Sequence, residues 1–213
     1  PSDKAISVFM HVLVLDADGS VWAWGRNDMG QLGDGTTTDR YVPSKVAGIS
    51  NVMQVSVTND ASLALKTDGT VWIWGNTCNG SLGDGHSYGP TDAGFTHKSP
   101  TQIPHLSGVI AISAGYQHHL ALGSDGTVWT WGLGNVGQNG RGTVDSELVP
   151  VPIPGLEQVT SIANSNQFSL ALKSDGTVWA WGTNLSGQLG VSGVSYSTTP
   201  IQVPGLSDIV AIS

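Results

Sequence analysis

The sequence carries little charge, and few of its charges are positive. Only 11% of the 213 residues are charged, and 8 Lys and Arg stand against 16 Asp and Glu, which gives a net charge of −8. A surface that binds nucleic acid or an anionic membrane needs a dense set of Lys and Arg side chains. The composition therefore argues against a nucleic-acid partner.

Cysteine is nearly absent, and long apolar runs are missing altogether. Because Cys78 is the only cysteine, we expect no internal disulfide framework and no zinc site built from cysteines. No apolar stretch approaches the roughly 18 residues of a membrane-spanning helix, so we expect no membrane span. No secretory signal peptide is recognised either, and a chain that begins with Pro1 fits a mature or trimmed product.

Glycine and tryptophan, in contrast, are abundant. The chain has 29 Gly and 8 Trp, and 39% of its residues are hydrophobic. That is too much apolar surface to leave in water, so the chain is not expected to be disordered. The high glycine content together with this apolar surface predicts a folded, turn-rich, all-β protein.

All eight tryptophans belong to one internal repeat. They form four Trp-x-Trp-Gly units, each preceded by Asp-Gly, and the successive units are separated by 50, 57 and 50 residues. A fixed period of this length is typical of propellers and other repeat architectures. The units begin at Trp22, Trp72, Trp129 and Trp179.

The Asp-Gly pairs predict β-hairpins. Asp-Gly between two apolar runs is typical of a two-residue hairpin turn. In the second repeat a turn at Asp68-Gly69 would place Leu65 opposite Trp72 and Leu63 opposite Trp74. The predicted ribbon therefore has Leu and Trp on one face and small or β-branched residues on the other.

Each hairpin is flanked by two further extended segments. A short apolar run precedes it and predicts an inner strand, and a Pro-containing segment follows it and predicts an outer edge strand, since proline has no N–H to donate. Four strands in meander order predict a β-propeller blade. Within a single domain at 1–213, the repeats are predicted at about 4–48, 49–106, 107–155 and 156–206, with an extra inner strand at 207–213.

The repeat resembles that of the regulator of chromosome condensation family, in the form common in bacterial proteins. The matching motifs lie at 27–36 (Asn-x-x-Gly-Gln-Leu-Gly-Asp-Gly-Thr), 111–122 and 199–206. The resemblance implies a rigid β-propeller whose loops bind other molecules. Activities known in the family are nucleotide exchange on the small GTPase Ran, nucleosome binding and, in a bacterial relative, β-lactamase inhibition, and the fold does not choose among them.

The chain departs from the seven blades of the founding protein, because it has four hairpins. An open arc of four blades exposes an apolar face and an unpaired strand edge, which favours association. We expect a homo-oligomer in which Ile209, Val210 and Ile212 dock on a neighbouring copy. The alternatives are that the terminal strand closes a ring of four blades or that the sequence is part of a longer ring.

An insertion is the best candidate for a binding site. The period lengthens by seven residues between Trp72 and Trp129, and the extra residues fall at 86–98. Insertions in repeat proteins lie on one rim, often the binding rim, and aromatic side chains there stack on a sugar or anchor a protein. A plain surface loop is the alternative. The ligand-binding candidates are His86, Tyr88, Asp92, Phe95 and His97.

No motif indicates catalysis, a metal or a cofactor. His11 and His118 share one repeat position with Ala61 and Phe168, which predicts packing or a local hydrogen bond. The Leu-Gly-Asp-Gly runs at 32–35 and 82–85, which contain Asp34 and Asp84, are interpreted as tight turns, because a calcium loop needs more oxygen ligands. The chain is therefore expected not to be an enzyme.

The sequence thus predicts a non-catalytic module that recognises a protein or a carbohydrate through loops on one rim of a propeller. A structural protein that assembles into a ring or filament through its terminal strands is the alternative, and an exchange-factor or enzyme-inhibitor module is less favoured. The composition resembles that of extracellular or cell-surface bacterial repeat proteins, with a cytoplasmic location left open.

Overall fold

A computed structural model of the chain describes residues 6–76, 78–89, 91–92 and 95–213. Within these residues it contains sixteen β-strands and no helix, and the strands form four antiparallel sheets of four, which we call blades 1 to 4 in chain order. Blade 1 consists of β1 (Ile6–Val8), β2 (His11–Leu15), β3 (Val21–Gly25) and β4 (Arg40–Lys45). Blade 2 consists of β5 (Val52–Val57), β6 (Ala61–Lys66), β7 (Val71–Asn76) and β8 (Thr96–Gln102). Blade 3 consists of β9 (Val109–Ala114), β10 (His118–Gly123), β11 (Val128–Gly132) and β12 (Glu147–Pro152), and blade 4 of β13 (Val159–Asn164), β14 (Phe168–Lys173), β15 (Val178–Thr183) and β16 (Tyr196–Gln202).

The strands follow one another in meander order, which confirms the predicted four-stranded blades. The first strands β1, β5, β9 and β13 contact one another and form the inner side of an incomplete propeller. The proline-containing strands β4, β8, β12 and β16 lie at the outer edges. The predicted start of the first inner strand at Lys4 lies outside the described residues.

The predicted hairpin register is wrong by one residue. In blade 2 Leu65 lies opposite Val71, and Ser62 lies opposite Trp74. The loop has three residues and not two, because the N–H of Lys66 donates to the carbonyl of Thr70 (3.0 Å) and only Gly69 has a positive φ, +77°. This is a type I turn followed by a left-handed glycine.

The Asp68 carboxylate stabilises this longer turn. Its Oδ1 accepts the backbone N–H of Thr70 at 3.0 Å and the Thr70 hydroxyl at 2.6 Å. The pKa of Asp68 is accordingly lowered, first by these side-chain and backbone hydrogen bonds. The one-residue shift moves every Leu to the face opposite the tryptophans, since side chains alternate along a strand.

The corrected register explains why the hydrophobic cores lie between blades. The face of blade 2 that carries Leu63 and Ile73 packs on the face of blade 3 that carries Trp131 and Ala121. The same arrangement joins blade 1 to blade 2 and blade 3 to blade 4. A single hairpin is marginal in water, so each blade depends on its neighbour for the burial of its apolar faces.

The glycine of Trp-x-Trp-Gly is required by a close backbone approach. Gly75, the penultimate residue of β7, has a φ of +101°, and a Cβ there would lie 2.4 Å from the carbonyl oxygen of Asp60. That approach allows the N–H of Asn76 to donate to the same carbonyl at 2.8 Å. The turn between β5 and β6 is thereby fixed to the end of β7.

The predicted inner strand at 207–213 is not formed. Residues 209–213 are not paired into a sheet, and Val210 is 92% exposed. The segment does begin as an inner strand begins: the N–H of Ile209 donates to the carbonyl of Gly176 at 3.1 Å, as that of Val52 does to Gly19. Among the described residues it has no antiparallel partner, so it forms no strand.

Candidate binding site on the loop face

The connections of the blades lie on two opposite faces. The turns after the first strands and the long loops after the third strands share one face, which we call the loop face. Contacts between them confirm this placement: the side-chain amide of Asn79 donates to Gln117 Oε1 at 3.0 Å, and Arg26 is paired with Asp60 at 3.1 Å. The Asp-Gly turns lie on the opposite face, against the connections to the next blade.

The predicted binding insertion lies on the loop face but is not one continuous loop. His97 and Lys98 belong to β8, so the edge strand begins inside the predicted segment. Tyr88 forms a parallel bridge with Cys78, which fixes the middle of the segment. Pro90, Ala93 and Gly94 lie outside the described residues.

The structure brings His86, Tyr88 and His97 together around Asp84. The Tyr88 hydroxyl donates to Asp84 Oδ2 at 2.8 Å, and His86 Nδ1 lies 3.4 Å from the same oxygen. The ring centroids of His86 and Tyr88 are 5.7 Å apart and stacked, and those of Tyr88 and His97 are 6.4 Å apart. Because the hydrogen bond to Asp84 raises the pKa of Tyr88, the phenol stays protonated and acts as a donor.

Asp92 and Phe95, the other two candidates, shape the backbone of the segment. Asp92 Oδ2 accepts the N–H of Gly89 at 2.7 Å, and the N–H of Phe95 donates to the carbonyl of Asp92 at 3.1 Å. Asp84, which sequence analysis treated only as part of a turn, is instead the centre of the cluster. We call Asp84, His86, Tyr88 and His97 the outer cluster.

The corresponding Asp34 of blade 1 has a structural role. Its Oδ1 accepts the Thr36 hydroxyl at 2.7 Å, and its Oδ2 accepts Arg40 Nε at 2.6 Å. Burial raises the pKa of Asp34, but these hydrogen bonds outweigh it and leave the pKa lowered. The tight-turn interpretation is supported, since every acceptor contact of this carboxylate lies within its own loop and the adjoining strand. In the part of the chain that the structure describes, no group of three or more His, Cys, Asp or Glu residues is placed to hold a metal ion.

The buried histidines join neighbouring blades. His11 Nε2 lies 2.7 Å from the hydroxyl of Ser62, and that hydroxyl donates to the carbonyl of Gln31 at 2.8 Å. Because the hydroxyl has a single hydrogen, His11 is the donor and its Nδ1 carries no proton. His118 pairs with Ser169 in the same way, which confirms the predicted structural role of this position.

His119 occupies a different repeat position, that of the serine, and its contact is with the long loop of the preceding blade. It lies opposite Trp131, where blades 2 and 4 have serine, and its Nε2 is 2.6 Å from the hydroxyl of Ser81 in the preceding blade. Burial lowers the pKa of His118 and His119 to about 3 and that of His11 to about 4. All three imidazoles are neutral at physiological pH, so they are poorly suited to proton transfer.

A cavity of about 380 Å³ opens where the inner strands end on the loop face. It is lined by residues of all four blades, namely Phe9, 57–59, 114–116 and 164–166, which we call the inner mouth. Phe9 is 59% exposed and Tyr116 41% exposed, and none of the described residues that line the cavity is charged. No sequence motif marks this site, because its residues come from four short turns that share only a repeat position.

Comparison with known proteins identifies the repeat. The sequence model of the RCC1-like domain matches residues 5–213. The chain belongs to this family. The expected resemblance to the regulator of chromosome condensation family is confirmed.

The relatives are considerably longer proteins. The chain is 35% identical over 136 residues to the E3 ubiquitin-protein ligase HERC2 of mouse, which covers 64% of this chain and 3% of HERC2. It is 30% identical over 144 residues to the ultraviolet-B receptor UVR8 of Arabidopsis thaliana, or 66% of this chain and 31% of UVR8. The solved structure of yeast RCC1 (Prp20) bound to Kap60 is similar over the whole chain and 52% of RCC1, with a TM-score of 0.80 and 30% identity.

These comparisons establish the RCC1-like propeller fold. All three relatives are eukaryotic, so the bacterial form of the repeat finds no support among them. The ligase activity in the name of HERC2 belongs to a protein of which this chain matches 3%. In the described residues, no helix is long and apolar enough to cross a membrane.

Proposed function

We propose that the chain, taken as one repeat domain at 1–213, is a non-catalytic module that binds a protein through its loop face. The observation that carries this proposal is the outer cluster, which displays an aromatic ring and two imidazoles on a fixed backbone. The Tyr88 ring is anchored through Asp84 at 2.8 Å and through the bridge to Cys78. Fixed aromatic side chains are the usual anchors of protein interfaces.

A protein is preferred to the other ligands that the sequence leaves open. The solved relative yeast RCC1 was captured with a protein, Kap60, and a binding role for this chain is in keeping with that complex. A carbohydrate would use the same aromatic rings by stacking, so it remains the alternative ligand. Neither the fold nor the comparisons favour an exchange-factor activity, an inhibitor activity or a location outside a bacterial cell.

The test is a ligand screen with substitutions on the loop face. The labelled chain is screened on a displayed peptide library and on a glycan array, and each hit is measured again with Tyr88→Ala and His86→Ala. We expect peptide hits whose affinity falls about tenfold with Tyr88→Ala, the loss typical of one aromatic anchor. Substitutions are used because a deletion of the segment 87–97 would also remove residues 96 and 97 of β8.

Glu157→Ala is the matched control, since Glu157 is an exposed residue in the connection between blades 3 and 4 on the opposite face. Binding that is lost with Glu157→Ala and kept with both loop-face variants would contradict the proposal. Hits confined to the glycan array would replace the protein ligand with a carbohydrate.

A second candidate function is assembly with another copy of the chain. The specific observation concerns the rear of blade 4, by which we mean the face turned away from blade 3. This face lacks contacts that the same face of blades 1 to 3 makes with the next blade. A Cβ on Gly30, Gly80 or Gly137 would meet the outer strand of the next blade at 2.7–3.0 Å, whereas one on Gly187 would meet nothing within 4 Å. Leu185 in this loop is 81% exposed.

We propose that this rear face docks on blade 1 of a neighbouring copy, at the face turned away from blade 2. Ile209, Val210 and Ile212 would belong to the same contact. A contact of this head-to-tail type generates rings or filaments. The molar mass in solution, from sedimentation equilibrium over a range of concentrations, tests the proposal. An oligomer that dissociates with Leu185→Asp supports it, and a strict monomer contradicts it.

A further inference from the structure

The turns at the inner mouth are held by hydrogen bonds that do not involve the side chains of their middle residues. In blades 2, 3 and 4 the first residue of the turn closes it through its N–H, which donates to the first residue of the next strand at 2.9, 2.9 and 3.1 Å. The last residue of the turn gives its carbonyl to the end of the third strand, as Asp60 does to Asn76, Gln117 to Leu133 and Gln167 to Thr183. The backbone of each turn is thus held at both ends.

The middle residue of each turn has no part in this support. These residues are Asn59, Tyr116 and Asn166, and all three line the cavity of the inner mouth. Among the described residues their side chains form no hydrogen bond with the rest of the chain. In blades 2, 3 and 4 the repeat therefore separates residues that hold the turn from one middle residue that is free to contact a ligand.

The composition of the inner mouth is that of a protein-recognition surface. Tyr, Ser, Gly and Asn dominate the binding loops of antibodies, because tyrosine supplies contact area at a low entropic cost and the small polar residues supply adaptable hydrogen bonds. Tyr116, Ser165, Asn166 and Asn59 provide these side chains here, and Phe9 adds an apolar wall. Since the turns are already ordered, a ligand does not have to order them.

The charges beside the inner mouth are predominantly negative. Arg26 is paired with Asp28 at 2.6 Å and with Asp60 at 3.1 Å, so this group of three keeps a net charge of −1. Asp60 also lines a small polar notch that shares Thr58 and Tyr116 with the cavity. A cationic group bound beside Tyr116 would lie next to this carboxylate and gain from the charge of the loop face.

We propose that the inner mouth binds a flexible, basic segment of a partner protein. An apolar side chain of the segment occupies the cavity lined by Phe9 and Tyr116, and a neighbouring Lys or Arg faces Asp60. The amides of Asn59 and Asn166 meet the backbone of the segment. This inference rests on the proposed function, that the loop face recognises a protein, and it adds the site and the chemistry of the ligand.

Short fluorescein-labelled peptides test the inference by fluorescence anisotropy. Each has a central Trp in a Gly-Ser background, flanked on both sides by Lys, by Glu or by Ser. The Lys-flanked peptide is expected to bind about tenfold more tightly than the Glu-flanked peptide, and this preference is expected to shrink as salt screens the charges. Tyr116→Ala is expected to weaken its binding about tenfold, and Tyr116→Phe to weaken it less.

Tyr41→Ala is the matched control, because it removes the same side chain from the outer edge strand β4, where Tyr41 is 92% exposed. It is expected to leave the affinity for the Lys-flanked peptide unchanged. The unfolding midpoint of every variant is measured, and Asn166→Ala replaces Tyr116→Ala should the latter fail to fold.

Three outcomes would overturn the inference: equal binding of the Lys- and Glu-flanked peptides, no binding of any of the three, or unchanged binding by both mouth variants. The proposed function is judged separately. A library peptide that is lost with Tyr88→Ala and kept with Tyr116→Ala would leave the proposed function standing and reject the inner mouth as the site. The absence of every protein ligand on the loop face would remove both.

Discussion

The indole N–H of Trp131 donates a hydrogen bond to the carbonyl oxygen of Ser81 in the preceding blade, at 3.0 Å. The same bond joins Trp74 to Gln31 at 2.9 Å and Trp181 to Gln138 at 2.8 Å. In each of these three blades the indole is fully buried. In blades 2 to 4 one tryptophan therefore both fills the core between two blades and fixes the long loop of the preceding blade on the loop face.

Replacement of Trp131 by phenylalanine tests this double role. Trp131→Phe leaves the buried Ser81 carbonyl without its donor, and it is expected to lower the free energy of unfolding by about 1–3 kcal/mol. The midpoint of urea unfolding measures this loss. Trp129→Phe is the control, because Trp129 is only half-buried and its indole forms no hydrogen bond within the described residues. Equal losses in the two variants would show that the hydrogen bond to the loop contributes little.

Acid is expected to destabilise the fold through the buried histidines. His11, His118 and His119 have folded pKa values of about 4, 3 and 3, whereas a histidine in the unfolded chain titrates near 6.5. Below that pH the unfolded chain binds more protons than the folded chain, so stability is full above about 6.5 and falls with falling pH, by about 1.4 kcal/mol per pH unit for each histidine. Urea unfolding between about pH 7 and 4.5 measures the slope.

His119→Ser identifies the contribution of one imidazole to this slope. Serine occupies the same position in blades 2 and 4, as Ser62 and Ser169, so the substitution suits the fold. We expect the pH dependence to fall by about one third, since two of three buried histidines remain. An unchanged slope would place the acid sensitivity elsewhere in the chain.

Gly75→Ala tests the close approach between the end of β7 and the turn after β5. The added Cβ would lie 2.4 Å from the Asp60 carbonyl oxygen, whereas a Cβ on Gly48, which has a φ of +77°, would meet nothing within 4 Å. Gly48→Ala therefore measures the cost of the left-handed backbone alone, about 1–2 kcal/mol. Thermal unfolding is expected to show a clearly larger loss for Gly75→Ala, and equal losses would contradict the proposed role of this glycine.

Much of the fold could be predicted from the sequence, because a repeated Trp-x-Trp-Gly unit reports strand length, turn position and burial four times over. The register of the hairpin strands could not be predicted, since a side-chain hydrogen bond decides whether the loop has two or three residues. Asp68 holds Thr70 and so adds one residue to the turn. An Asp-Gly-Thr sequence, with a hydroxyl directly after the glycine, was the available signal.

The binding sites were predictable only in part. The insertion is visible as a change of period, and three of its five candidate residues do lie together. Asp84 was missed because it was compared with the turn residue Asp34, although its contacts are with Tyr88 and His86. The inner mouth was missed because Asn59, Tyr116 and Asn166 are adjacent only after the blades have stacked.

The central claim is that the turns of the inner mouth separate residues that support the fold from residues that face a ligand. The most direct test is the affinity of the triple variant Asn59→Ala, Tyr116→Ala and Asn166→Ala for the Lys-flanked peptide. The unfolding midpoint of the variant is expected to equal that of the parent chain, because these side chains do not support the fold. We predict a loss of affinity of about a hundredfold. An affinity equal to that of the parent chain would contradict the account.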